Sequence, residues 1–279
     1  MTAIGRSAAA ASRRHRLGLE WLFAAPALLM TLFLGVPVAA LIWRALTGDQ
    51  LADNLTTALV LDALRLSAIT STVTLVIAVL IGTPLAWLLA RRDFPGKTLV
   101  DMLVDLPIVL PPTVAGVALL VALGRRGVVG ETLDEGGVQI AFTTVAVIFA
   151  QLFVSAPFYI RTVKAGFEAV EPVYEGIAST LGASPLRSFI RVTLPLAWPS
   201  IVAGAILCWA RALSELGATL IFAGNLRGET QTMPLAIIAA FESGRSIEVP
   251  IALSVILVAA AAILLLLLRV VARTAPAMR

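Results

Sequence analysis

Charge is scarce in this sequence. Aspartate, glutamate, lysine and arginine make up 14% of the 279 residues, against about 25% in an average soluble domain. A water-soluble fold would have too few polar side chains to cover its surface. Cysteine and histidine are scarcer still, with one of each, Cys208 and His15. One cysteine excludes a disulfide within the chain, and the pair cannot supply a Cys/His metal cluster. His15 lies in a basic tail and reads as a solvated residue. No Gly-x-Ser-x-Gly occurs, and no paired carboxylates face a plausible nucleophile. A membrane-embedded enzyme therefore finds no support in a motif, although a span layout alone does not exclude one. What is abundant is apolar: 59% of the chain, with a mean hydropathy of +0.96. The chain reads as an integral membrane protein. Its net charge of +4 comes from arginines scattered between apolar runs, so the basic balance does not point to nucleic acid.

A membrane helix needs about 20 mostly apolar residues. Six candidates follow, at 19–43, 66–90, 99–123, 140–163, 196–222 and 247–272. The fold class expected is all-α, a polytopic membrane protein of about six transmembrane helices. Residues 1–18 would form an N-terminal tail, 19–272 the membrane domain and 273–279 a C-terminal tail. The third candidate carries Asp101, Asp105, Pro107, Pro111 and Pro112. Proline kinks a helix, and freed backbone at membrane depth is tolerated only against protein or a water-filled cavity. Asp101 and Asp105 are expected to pair with Arg91 or Arg92; as a cation site they are weak. The N-terminal apolar run is long enough to span, so a cleaved signal peptide is not expected.

Lys and Arg accumulate on the inner side of a membrane. With the N-terminus inside, the inner segments hold Arg6, Arg13, Arg14, Arg16, Arg91, Arg92, Lys97, Arg161, Lys164, Arg187, Arg191, Arg269, Arg273 and Arg279. The outer segments hold Arg44, Arg65, Arg125, Arg126, Arg227 and Arg245. Both termini are therefore expected in the cytoplasm. Arg125 and Arg126 would be ordinary loop charge offset by Glu131, Asp134 and Glu135, or a contact for an acidic patch on an external protein. Asn54-Leu55-Thr56 matches a glycosylation triplet but has no weight without a secretory eukaryotic setting.

This arrangement puts residues 164–195 on the inner side. Glu171-Pro172 opens a helix with Pro at its first position, and Val173, Ile177 and Leu181 recur every four residues on one face. Gly182 follows, where a helix end often turns left-handed. Ser184-Pro185 restarts a helix with a Ser cap. Leu186, Phe189 and Ile190 make its apolar side, opposite Arg187 and Arg191. A helix–turn–helix pair parallel to the membrane is expected. It would lie on lipid, fill a groove in a soluble partner, or merely join two spans.

Gly182, nine residues, then Val192-Thr193-Leu194-Pro195 resembles the EAA loop of ABC-importer permeases. Gly176 stands at the position of that motif's Glu, with Glu175 one residue earlier and Ile177-Ala178 following. The strings "LPIVLPPTVAGVALLVALGRRG" (106–127) and "ARALSELGATLIFAGN" (210–225) resemble permeases of the molybdate type, relatives of the sulfate and tungstate permeases. Ser214-Glu215-Leu216-Gly217 stands where those relatives usually have Gly-Glu-Phe-Gly. The likeness runs from about residue 20 to 270.

The resemblance implies that 164–195 is a coupling loop docking on a separate ATP-binding subunit through Glu175, Gly182, Ala183, Ser184, Pro185, Leu186, Arg187, Phe189, Leu194 and Pro195. It also implies two permeases, a homodimer here, with two ATP-binding subunits and an extracytoplasmic substrate-binding protein. The expected cargo is a tetrahedral oxyanion, molybdate before tungstate or sulfate. The alternative is an ion-gradient-driven transporter or channel of the same topology.

Gly-Lys-Thr at 96–98 ends like a phosphate-binding loop, but the pattern needs a Gly where Arg91 stands. ATP and Mg are thus expected on the partner subunit, with no cofactor, metal or catalytic site on this chain. Arg211 and Glu215 are one helical turn apart within a span, and shared charge lowers the cost of burying either. They would lock the fifth helix to a neighbour, or border the path, where Arg211 attracts an anion. Pro111, Pro112, Thr113 and Gly116 in one kinked helix, and Gly217, Thr219 and Asn225 in the other, complete the candidate path or gate. Their small side chains permit close helix approach.

Overall fold

The computed structural model describes residues 3–47, 58–244 and 247–274. The chain divides into two compact units, residues 1–51 and 52–279. The first is one helix, α1 (Ala3–Thr47), whose stretch Leu22–Thr47 is long and apolar enough to cross a membrane. The expected tail at 1–18 thus continues the helix from residue 3 onward. The Asn54 triplet, Arg245 and the residues from 275 on lie outside the described residues.

The second unit is built of helices joined by turns, with no strand among its described residues. Helices α2 (Ala58–Arg91), α3 (Lys97–Val109) and α4 (Pro112–Leu123) are followed by the short α5 (Gly130–Glu135). Next come α6 (Thr144–Ala169), α7 (Pro172–Thr180) and α8 (Pro185–Ser188). A π turn (Phe189–Thr193) joins α8 to α9 (Leu194–Leu213). Helices α10 (Gly217–Ala223), α11 (Met233–Glu242) and α12 (Glu248–Thr274) complete the unit. Among the described residues, four helices are long and apolar enough to span a membrane: 22–47, 58–91, 144–169 and 185–213.

The third expected span is two helices. Leu110 and Pro111 are both extended, with ψ of 134° and 136°. A proline disfavours helical backbone in the residue before it. Pro111 acts on Leu110, and Pro112 acts on Pro111, so two consecutive residues are forced straight. Pro112 then opens α4, where a missing N–H costs nothing.

The fifth expected span differs at both ends. It breaks at Ser214–Leu216 without any proline, and it begins nine residues before Leu194. The helix opened by Pro185 does not lie apart as the second member of a surface pair; it runs on as one rod to Leu213. Pro195 has no N–H to give the preceding turn. The π turn absorbs this defect, with the Leu194 N–H reaching back to the Phe189 carbonyl. Helix α11 falls in a segment not expected to be helical.

The core lies where α2, α6 and α9 meet, around Ala78, Ala86, Leu89, Tyr159, Val163, Phe167, Ile201 and Cys208. A second cluster joins α4, α6 and α10 through Ala115, Val147, Ala150, Ala218 and Phe222. A third ties the start of α2 to α11 and α12 through Val60, Met233 and Leu253. Water does not compete inside a membrane, so packing and interhelical hydrogen bonds must hold the bundle together. Helix α2 supplies a row of small polar anchors. Ser71 accepts from Trp209 Nε1 at 2.9 Å, and Ser67 from the Met233 N–H at 2.7 Å. Thr74 meets Gln151 at 3.2 Å, and Thr83 meets the Tyr159 hydroxyl at 2.6 Å.

Tyr159→Phe removes the last of these bonds while keeping the ring. The expected loss is about 1 kcal/mol, read as a lower thermal-unfolding midpoint in detergent; an unchanged midpoint would show that the hydroxyl contributes nothing.

Candidate functional site

Two places gather the residues marked by the sequence. The first is the segment between α6 and α9. Gly182 has φ of +81°, and this left-handed turn lets the chain leave α7 and re-enter helix at Pro185. The Ser184 hydroxyl accepts from the Arg187 N–H at 3.4 Å. Val173 and Ile177 on α7 and Leu181 just past its end are all more than half exposed, as are Leu186 and Ile190 beyond the turn. The apolar stripe is therefore present and uncovered. Phe189 departs from the expected face. It turns inward, packing edge-on against Trp87 at 5.8 Å and tilted against Phe167 at 6.0 Å between ring centres.

Glu175 also points inward. Its Oε1 accepts from the Thr193 hydroxyl at 2.7 Å and lies 3.5 Å from Arg91 Nη2. The same Nη2 donates to the Val170 carbonyl at 2.6 Å. Arg91, the last residue of α2, thus fastens the end of α6, helix α7 and the π turn together. By contrast, a Cβ at Gly176 would meet nothing within 4 Å, so the motif's usual Glu position is open here. Leu194 packs on the main core cluster and begins α9, Pro195 is the second residue of that helix, Ala183 is half-buried, and Arg187 is exposed.

The second place is where the breaks of the two discontinuous spans meet. A Cβ on Gly217 would lie 2.9 Å from the Pro112 Cβ and 3.3 Å from the Thr113 nitrogen. A Cβ on Gly116 would lie 2.9 Å from the Ala218 carbonyl oxygen. Only glycine permits this approach of α4 to α10. Glu215, 1% exposed, has two partners. One oxygen accepts from the Ala218 N–H at 2.8 Å, capping α10; the other lies 2.7 Å from Arg211 Nη1 in an ion pair outside hydrogen-bond alignment. The pair thus bridges the break in its own span instead of locking α9 to a neighbouring helix. Pro111, Pro112 and Thr113 are exposed, while Gly116 and Thr219 are buried and the Thr219 hydroxyl has no partner among the described residues. Asn225 lies apart: it accepts from Gln231 at 2.9 Å and reaches the Leu235 carbonyl at 3.5 Å, shaping the loop before α11.

Asp101 and Asp105 do not meet Arg91 or Arg92. Arg161 on α6 contacts both carboxylates, and Lys164 reaches Asp101 at 2.8 Å. Helix α3 runs beside α6, which places Arg161 and Lys164 within reach, whereas Arg91 is engaged with the loop. Arg125 bonds the Gln139 amide at 2.6 Å. The roles of Arg91, Trp87, Arg161 and Thr193 had no local signal in the sequence, because each partner lies on another element.

Truncating Arg211 strands a buried carboxylate, which costs about 3–5 kcal/mol. Arg211→Ala is therefore expected to be more destabilising than the double variant Arg211→Ala/Glu215→Gln, in which the charge is gone and an oxygen still caps α10. Equal thermal midpoints for the two would contradict the ion pair.

Comparisons place this geometry among known proteins. The molybdate/tungstate transport system permease protein WtpB of Thermococcus kodakarensis is 42% identical over 204 residues, 73% of this chain and 77% of its own. The molybdenum transport system permease protein ModB of Mycobacterium tuberculosis is 40% identical over 240 residues, 86% of this chain and 90% of its own. In fold, the chain is similar to a chain from the crystal structure of a bacterial ABC transporter that imports the acidic polysaccharide alginate. The TM-score is 0.73 at 18% identity, covering 94% of this chain and 98% of that one. Residues 82–279 match the family model described as binding-protein-dependent transport system inner membrane component, and this chain is a member of that family, a multi-pass permease subunit.

Proposed function

We propose that this chain is the membrane subunit of an ATP-driven importer that carries a tetrahedral oxyanion into the cytoplasm, molybdate first, with tungstate or sulfate next. The substrate class is supported by the two relatives named above. The drive is supported by one observation: an uncovered apolar stripe, Val173, Ile177, Leu181, Leu186 and Ile190, held by Arg91 and Glu175 on the end of a long helix. An ion-gradient transporter or channel would have no use for such a stripe.

In this reading the stripe fills a groove on a separate ATP-binding subunit, which carries ATP and Mg. Two such subunits serve two copies of this chain, and an extracytoplasmic binding protein delivers the anion. Six spans per copy arise if α3 with α4 counts as the third and α12 as the sixth, with both termini inside. The rod from Pro185 to Leu213 has 29 residues, about 43 Å at 1.5 Å each. A push at Pro185 is therefore passed along one continuous helical run toward the break at Ser214. The exposed residues Pro111, Pro112 and Thr113 would line the path between the two copies. There, Arg211 at the rim attracts an oxyanion, and Glu215 prevents it from being held too tightly, as a conduit requires.

The test is oxyanion uptake into proteoliposomes holding the chain with its ATPase and binding protein. Ile177→Glu/Leu186→Glu changes two exposed side chains and is expected to cut ATP-dependent uptake about tenfold or more, as for loss of a buried apolar anchor, with the chain's own unfolding midpoint kept. Full uptake by that variant would overturn the docking role. Equal uptake by the chain without any ATPase would favour the gradient-driven alternative.

A further inference from the structure

A cleft of about 550 Å³ lies between the last turns of α2 and the α7–α8 turn. Its floor and walls are apolar, with Pro84, Ala183 and Phe189 among them. Polar atoms in the lining stand unanswered. Ser188 is only 7% exposed, and its hydroxyl has no partner among the described residues; nor does the buried Trp87 Nε1–H. A buried donor left unpaired costs roughly 1–3 kcal/mol, so both atoms call for an acceptor from outside the chain. The Arg92 guanidinium lies 5.6 Å over the Trp87 ring and forms no ion pair among the described residues. Glu175 also lines the cleft, but Thr193 and Arg91 already answer its charge.

The lining is graded along α2. Arg92 and Trp87 lie at the helix end, while Thr83 and Pro84 lie deeper, about 13 Å away at 1.5 Å per residue. An occupant should therefore carry an anionic acceptor group at one end and an apolar body at the other. Arg and Trp side chains at the end of a membrane helix belong at headgroup level, and basic pockets between such helices take anionic headgroups. Of the stripe assigned above to the ATPase, Val173, Ile177, Leu181 and Ile190 do not line the cleft, and Leu186 borders it; the two sites therefore share one edge.

We infer that this cleft is a binding site for an anionic phospholipid. The phosphate accepts from Arg92, the Trp87 Nε1–H and the Ser188 hydroxyl, and an acyl chain runs along Pro84 and Phe189. Lipid bound there would wedge the α7–α8 turn against α2.

Native mass spectrometry of the full chain in detergent tests this without ATP, substrate or partner, so its outcome is separate from that of the uptake assay. Delipidated protein titrated with phosphatidylglycerol is expected to retain one lipid tightly, and to bind phosphatidylcholine about tenfold or more weaker. Arg92→Gln and the cleft-filling Ser179→Phe, both at exposed positions, are each expected to lower phosphatidylglycerol affinity by about tenfold. Unchanged unfolding midpoints show that the variants are folded. Equal binding of both lipids, unchanged affinity in both folded variants, or displacement of the lipid by excess inorganic phosphate would overturn the site. A photoreactive group placed at position 179 in membranes should capture lipid. Capture of a protein subunit or of a second copy of this chain in its place would overturn the inference.

Discussion

A carboxylate buried at the break between α9 and α10 must be matched on two sides, and the rest of the bundle is built around how that is done. Removing a charge from water costs several kcal/mol unless it is paired and hydrogen-bonded. Glu215 receives a guanidinium from Arg211 on the preceding turn and a backbone N–H from Ala218 on the next helix. One side chain thereby ends one helix and starts another. Because α10 restarts at Gly217, it can press on Pro112 and Thr113, where the third span is broken as well. Two interruptions that would each be costly in lipid are placed against one another, as the solvent requires.

From this meeting point the geometry leads down to the other end of the molecule. Helix α9 continues through the π turn to Pro185, so Leu186 and Ile190 of the exposed apolar stripe and the broken fifth span lie on one continuous helical run. Arg91 adds a second connection, from the same segment to α2. Helix α2 is in turn hydrogen-bonded to α6, α9 and α11 by Ser67, Ser71, Thr74 and Thr83. Displacement at α7 would therefore be shared between two long helices, not spent in a flexible loop.

How far these features were legible in the sequence depended on how local their causes were. Pro111 and Pro112 announced an irregular third span, since proline acts on its immediate neighbour. Gly182 and Ser184-Pro185 announced a turn and a restart, and the i, i+4 spacing of Arg211 and Glu215 announced their pairing. The break at Ser214–Leu216 gave no such warning; it depends on a carboxylate choosing the Ala218 N–H, and on Pro112 lying close enough to need Gly217. The choice of partner for Asp101 and Asp105 was equally hidden. Arg91 and Arg92 were nearer along the chain, yet Arg161 and Lys164 were nearer in space.

By itself, the amino-acid sequence determined that the chain lives in a membrane, that it is helical, and where its proline-driven interruptions and glycine turn fall. Hydropathy and backbone sterics act over a few residues, and nothing distant can reverse them. Only the tertiary structure decided that Glu175 meets Arg91 and Thr193, that Phe189 leaves its expected face for Trp87, and that a helix thought to lie apart is the start of a long apolar rod. Each of those outcomes depends on which helix packs beside which, a long-range property that residue spacing along one helix does not contain.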